Sequence, residues 1–225
     1  MKQILSILSI LGLLMACKET TEESFFVDDR DYYPLDNTRI YEVMDIRYEI
    51  TGVDTLNYFL RESISDTLVS GNDTTFILLK ERGSGFEGNW ETDSLWNLRQ
   101  TLTELVVREN GTDKVKLVFP VREDIQWDRN KYNTLSAANT NYRAVGLEEL
   151  RIDESLVPDR VIQTVISDIP PNITGQNQHY ELYGKGVGLL QKNLVLLKLC
   201  TGEDGCEIGD TLSGRFIEMK LIDYE

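Results

Sequence analysis

The side chains able to do chemistry in this sequence are mostly carboxylates. Asp124 and Asp128 stand around Trp127, and Glu148 lies next to Glu149. A glycoside hydrolase places two carboxyl groups roughly 5–9.5 Å apart across a sugar ring. Trp90, Trp96 and Trp127 could supply the flat surface such a ring stacks on. Sequence spacing alone does not bring two of these groups to that distance. A chain with 38 acidic residues offers many such pairs, so solvated carboxylates are the default reading. Two denser groups, Asp28, Asp29 and Asp31, and Glu203, Asp204, Glu207 and Asp210, carry oxygen ligands of the kind calcium takes. Neither follows the spacing of an EF-hand loop. The one histidine, His179, leaves no material for a His-rich zinc site, and no G-x-S-x-G nucleophile elbow accompanies it. Gly184-Lys185-Gly186-Val187-Gly188 looks like a phosphate loop but lacks the Ser or Thr and the helix that such a loop needs. It reads as a glycine bend within a sheet. No cofactor and no metal site are expected.

The three cysteines divide into one and a pair. Residues 1–17 (MKQILSILSILGLLMAC) join a positive Lys2 to an apolar run too short for a membrane span of roughly 20 residues. This is the pattern of a secretory signal peptide, here over 1–16. Leu14-Met15-Ala16-Cys17 resembles a bacterial lipobox, which implies cleavage before Cys17 and acylation of Cys17. Residues 17–34 then read as a lipid-anchored tether. Within it, Lys18 to Ser24 (KETTEES) is polar, and its Lys18-Glu19 with Glu22-Glu23 resembles acidic export signals of surface lipoproteins. Cys200 and Cys206 flank Thr201-Gly202-Glu203-Asp204-Gly205, which is turn chemistry, so a disulfide is sterically sound in an oxidising compartment. A thiolate metal pair is the alternative, with no further ligand in the sequence to complete it.

One tripeptide recurs. Asp54-Thr55-Leu56, Asp66-Thr67-Leu68, Asp73-Thr74-Thr75, Asp93-Ser94-Leu95 and Asp210-Thr211-Leu212 all follow D-[ST]-[AILVMT]. The form resembles an O-glycosylation acceptor, making Thr55, Thr67, Thr74, Ser94 and Thr211 candidates. Turn-forming Asp before strand-forming Thr-Leu produces the same string without any sugar.

The elements that must carry these residues are strands. Arg39 to Ile50, Asp54 to Ser65, Thr67 to Ser70, Thr75 to Arg82, Trp96 to Glu109, Lys114 to Pro120, Val161 to Ser167, Gln178 to Tyr183, Leu189 to Leu199 and Leu212 to Ile222 are rich in β-branched and aromatic residues. Asn110-Gly111 between two apolar runs is a strong hairpin signal. Gly146 to Leu156 reads as a short helix before Pro158. The pattern specifies a mainly β, single domain over 35–225, its antiparallel strands forming a curved sheet or open barrel with at most one or two short helices. The formal charge of −15 excludes nucleic-acid binding through bulk charge. It also means that an anionic membrane would repel the globule, leaving a lipid to hold it there.

Three segments, YYPL (Tyr32–Leu35) with Tyr41-Glu42-Val43, LVFPV (Leu117–Val121) with Trp127 and Asn130, and YELYGKGVGL (Tyr180–Leu189), resemble a family of uncharacterised Bacteroidetes envelope lipoproteins. The resemblance implies a β-rich envelope lipoprotein without an assigned activity. Three functions are then expected to compete. The first is a non-enzymatic binding or accessory module, for an apolar or lipid-like ligand. The second is a glycan hydrolase with paired carboxylates. The third is an assembly subunit that pairs a partner along a sheet edge.

Overall fold

The computed structural model describes residues 28–71, 73–146, 150–202 and 206–225. Twelve strands form one sheet: β1 (Arg39–Glu49), β2 (Gly52–Ser70), β3 (Asp73–Gly83), β4 (Trp90–Gln100), β5 (Glu104–Glu109), β6 (Thr112–Val118), β7 (Gln126–Asp128), β8 (Asn139–Arg143), β9 (Val161–Asn172), β10 (Gly175–Gly184), β11 (Gly188–Leu199) and β12 (Thr211–Tyr224). All ladders are antiparallel, in the order β6-β5-β4-β3-β2-β1-β12-β11-β10-β9-β8-β7. This is the mainly β, antiparallel, nearly closed barrel that the strand pattern implies. Among the described residues the only helical turns are two 3-10 turns, Asp29–Tyr32 and Glu154–Leu156.

Period-two alternation decides what lies inside. In β1, Arg39, Tyr41, Val43 and Asp45 are buried while Glu42 is exposed. The Asn110-Gly111 turn joins β5 to β6 with both residues at positive φ, 49° and 78°, the geometry a two-residue hairpin favours. The two ends of the sheet, β6 and β7–β8, meet mostly through side chains. Tyr142 Oη donates to Val118 O at 2.7 Å and accepts from Val118 N at 2.8 Å. Trp127 Nε1 donates to Val115 O at 3.1 Å, and Val115 N to Arg129 O at 2.9 Å. These bonds satisfy an edge that would otherwise be bare.

Several sequence expectations shift. The run Trp96 to Glu109 is two strands, because the chain turns at 101–103, where Thr101 Oγ1 accepts from the amides of Thr103 and Glu104. The runs on either side of Asp66 are one 19-residue strand, β2. Of the helix expected over Gly146–Leu156, only the turn Glu154–Leu156 is seen, and 147–149 lie outside the described residues. The globular part also starts before residue 35. Tyr32 and Tyr33 are buried in the core, and the Asp29 carboxylate accepts from Val121 N at 2.9 Å. Two bulky rings beside charged neighbours read as a linker in sequence, yet their area is worth burying.

The barrel has two unlike ends. The first described residues lie beside the turn 184–188, where Gly186 N donates to Asp31 O at 2.7 Å. The opposite end carries the β1–β2, β9–β10 and β11–β12 turns.

Candidate functional site

The strands deliver charged side chains to the barrel interior. Glu62 (β2) faces Lys80 (β3) across the ladder, Nζ to Oε1 2.8 Å. Lys80 also stands over the Trp96 ring, 3.7 Å from its centroid. Glu181 (β10) is paired in register with Lys192 (β11), which neighbours Met219 (β12). Lys116 (β6) bridges two carboxylates, Glu109 at 2.5 Å and Glu181 at 2.8 Å. Arg129, just after β7, reaches Glu181 at 3.4 Å, and Tyr183 Oη donates to Glu181 Oε2 at 2.7 Å. Glu62, Lys80, Glu109, Lys116, Glu181, Tyr183 and Lys192, together with Tyr33, Leu78, Trp96, Val107, Leu189 and Met219, line a cavity with about 60 Å³ of water-accessible room. Arg39 lies behind it, stacked on Tyr33 at 4.5 Å and donating to Pro34 O at 3.0 Å. Gly188 is obligatory here. It has a positive φ of 105°, and a Cβ would come within 2.9 Å of Arg39 Nη1.

The electrostatics follow from burial and pairing. Burial pushes the Glu109 carboxyl up, but Lys116, Lys192 and Arg129 outweigh it and hold the group down at about 2. Glu181 is likewise lifted by burial and then held well below its ordinary range by Lys116 and Arg129. Glu62 is lowered by Lys80 and Arg39 against the same burial. Lys192 behaves differently: burial, with Lys116 nearby, lowers it to about 8. Its nearest acid, Glu181, is 3.9 Å away. Burial also lowers His179, whose Nε2 lies 3.7 Å from Glu181 Oε1.

The residues singled out in sequence mostly fall elsewhere. Asp124 is exposed beside Arg122, whereas Asp128 accepts from the amides of Asn130 and Ala138 and shapes a loop. Trp127 closes the barrel, and Trp90 stacks on Arg61. Trp96 and His179 reach the interior cluster, as do Tyr33, Glu181, Tyr183 and Leu189 of the YYPL and YELYGKGVGL segments. Glu148, Glu149, Glu203 and Asp204 lie outside the described residues, as does Cys17. Among the described residues no group of three or more His, Cys, Asp or Glu is placed to hold a metal. Asp28 pairs with Arg30, and Asp29 with Lys185 and the Val121 amide. The GKGVG segment is the β10–β11 turn rather than a bend within one strand. Its amides at Lys185, Gly186 and Val187 donate to Arg160, Asp31 and Gly184 carbonyls, leaving none of the three for a phosphate. Cys200 and Cys206 are joined as a disulfide, with Cα atoms 6.1 Å apart. Of the D-[ST] hydroxyls, Thr55, Thr67 and Thr74 are exposed on strands, while Ser94 and Thr211 are half-buried.

The cluster itself escapes sequence reading. Its members are scattered from Glu62 to Lys192, and only the register brings them together. The available signal is charge recurring at alternate positions of otherwise apolar strands, as in Lys114-Val115-Lys116-Leu117. Comparison of the chain with protein-family models, curated proteins and solved structures finds no match.

Proposed function

We propose that the chain is a lipid-anchored module of a bacterial cell envelope, held on the outer membrane through Cys17, that binds rather than catalyses. The observation that carries this is the state of the three interior carboxylates. A hydrolase acid must keep its proton near neutral pH, which takes a raised pKa. Glu62, Glu109 and Glu181 are all lowered and tied to Lys or Arg. A binding cavity, by contrast, needs fixed charges with locked rotamers, and these ion pairs supply them. The cavity is small, which favours a compact ligand over the acyl chain that a lipid carrier would take.

The anchor rests on the lipobox at residues 14–17 and on geometry. Ten residues lie between Cys17 and Asp28, the first described residue, and the eleven Cα–Cα steps can span about 35–40 Å. Intact-mass spectrometry of the membrane fraction tests the reading. The mature chain should carry diacyl or triacyl mass that Cys17→Ala lacks. Added hexose mass would assign the D-[ST] sites. A soluble, unacylated chain would overturn the anchor, and turnover of a glycan would overturn the binding role.

A second reading, assembly by strand addition, is favoured by one edge. β3 pairs with β2 only from Phe59 onward, so the outer edge of 52–58 is free. The corresponding free edge of β9 carries Pro170 and Pro171, residues that blunt an edge. Native mass spectrometry of detergent extracts would show a stoichiometric partner if this edge docks one.

A further inference from the structure

We infer that the barrel cavity is a binding site for a small oxyanion, a carboxylate or phosphate group, with Lys192 as its principal contact. The inference rests on the reading of the chain as a binding module and names the chemical class it binds.

Charge is the first sign. The cavity wall sets three cations, Lys80, Lys116 and Lys192, against three anions, Glu62, Glu109 and Glu181, and two further buried cations, Arg39 and Arg129, lie behind this balanced wall. A chain of formal charge −15 thus gathers a positive surplus at its centre. Buried charge without a partner is costly, so an interior of this kind is stable only if something offsets it.

The second is hydrogen bonding. Lys80 and Lys116 have carboxylates at 2.8 Å or closer. Lys192 has no hydrogen bond to any described residue, though it lines the cavity and its side chain is only 23 % exposed. Arg39 Nε and Nη2 and Arg129 Nη1 are also buried donors without acceptors. Lys192 therefore keeps unused N–H groups in the cavity wall, with the spare Arg39 and Arg129 donors behind it, the complement of an oxyanion with several lone pairs.

The third is the cost of Lys192 to the empty fold. The groups around it are Glu181 and His179 on β10, Lys116 on β6, Glu109 on β5, Lys80 on β3, Glu62 on β2 and Arg129. Their net effect with burial is to disfavour its ammonium. A residue that weakens the unliganded fold at neutral pH fits a functional position. Trp96, Val107, Leu189 and Met219 on the wall would exclude water around the bound group and strengthen the ion pair.

The test uses the purified full mature chain at pH 7 and constant ionic strength, with sodium phosphate and sodium acetate as probes against sodium chloride. Thermal denaturation and titration calorimetry should show saturable one-to-one binding of at least one probe. At a hundredfold excess over Kd, Tm should rise by about 5–10 °C. Phosphate alone, acetate alone or both would each support the site and sort the oxyanion. Lys192→Met should fold with a Tm at or above that of the parent chain and lose at least tenfold in affinity. Lys198→Met, exposed on the same strand, should keep it. A second readout needs no variant: the bound anion should protect Lys192 from amine acetylation, read by peptide mass. Linear, non-saturating shifts with both probes, equal binding by Lys192→Met, or no protection would overturn the inference. Acylation of Cys17 and absence of turnover are scored separately, so loss of the anion site alone leaves the envelope reading standing.

Discussion

The same strands behave in two ways along their length. In their first half, β1 and its neighbours wrap a core of Tyr41, Val43, Leu60, Leu98, Leu117, Leu190 and Leu221 around the ionic cavity. Beyond Asp45, β2, β1, β12, β11, β10 and β9 run on as a single layer, with Ile50 90 % exposed at one tip and Ile173 and Ile208 also bare at the neighbouring turns. Both halves share one ladder and one alternation. What separates them is closure: where β6 meets β7 and β8, alternate side chains gain an inside, and even five cations can be housed there. Where closure stops, apolar side chains have nothing to pack on. Hydrogen bonding of strands makes the sheet, but only curvature makes a site.

Acid should separate the two regions most strongly. Glu62, Glu109 and Glu181 have native pKa values below their unfolded values. The stability they contribute is complete above their ordinary range, near 4.5. It should be lost as pH falls from there toward about 2, where Glu109 protonates. Urea unfolding at pH 7, 4 and 3 should show a falling midpoint at constant m. A midpoint unchanged between pH 7 and 3 would mean that the cluster contributes nothing.

Glu181→Ala comes next. It takes the ion-pair partner from Arg129 and Lys192 and leaves Lys116 with Glu109 alone, and removal of one partner of a buried pair costs about 3–5 kcal/mol. Chemical denaturation at neutral pH reads it directly. Tyr142→Phe is smaller. It removes both bonds to Val118 and leaves that backbone without partners at the seam, for about 1–3 kcal/mol. Hydrogen exchange should rise first at the amides of β6. Smallest is Ile50→Asn at the bare tip, where a change within about 0.5 kcal/mol is expected. A large loss there would show that the projecting layer has a covering partner.

The sequence made parts of this legible and hid others for physical reasons. Asn110-Gly111 and the Cys200–Cys206 pair act within a few residues, so their turns could be read locally. The turn at 101–103 uses a threonine hydroxyl instead of Gly or Pro, and its strands merged into one apparent run. Tyr32 and Tyr33 are buried but lie among Asp28, Asp29, Asp31 and Asp36, whose charges disguised the start of the fold. The interior cluster depends on register across β2, β3, β5, β6, β10 and β11. Each Lys or Glu there looked like an ordinary solvated residue on its own strand.

The seam between β1 and β12 sets the order of folding. β1 is synthesised early, yet its partner on one side arrives last: Asp45 meets Arg215 across 170 residues. The half of the sheet from β1 to β6 can form hairpin by hairpin from local contacts. The barrel cannot bend shut until β12 has threaded between β1 and β11. Such long loop closure slows folding and leaves the edge of β1 unpaired during the wait. The interior charges are thus assembled in a late step, and agents that hold β1 open should act on the rate of maturation far more than on the finished protein.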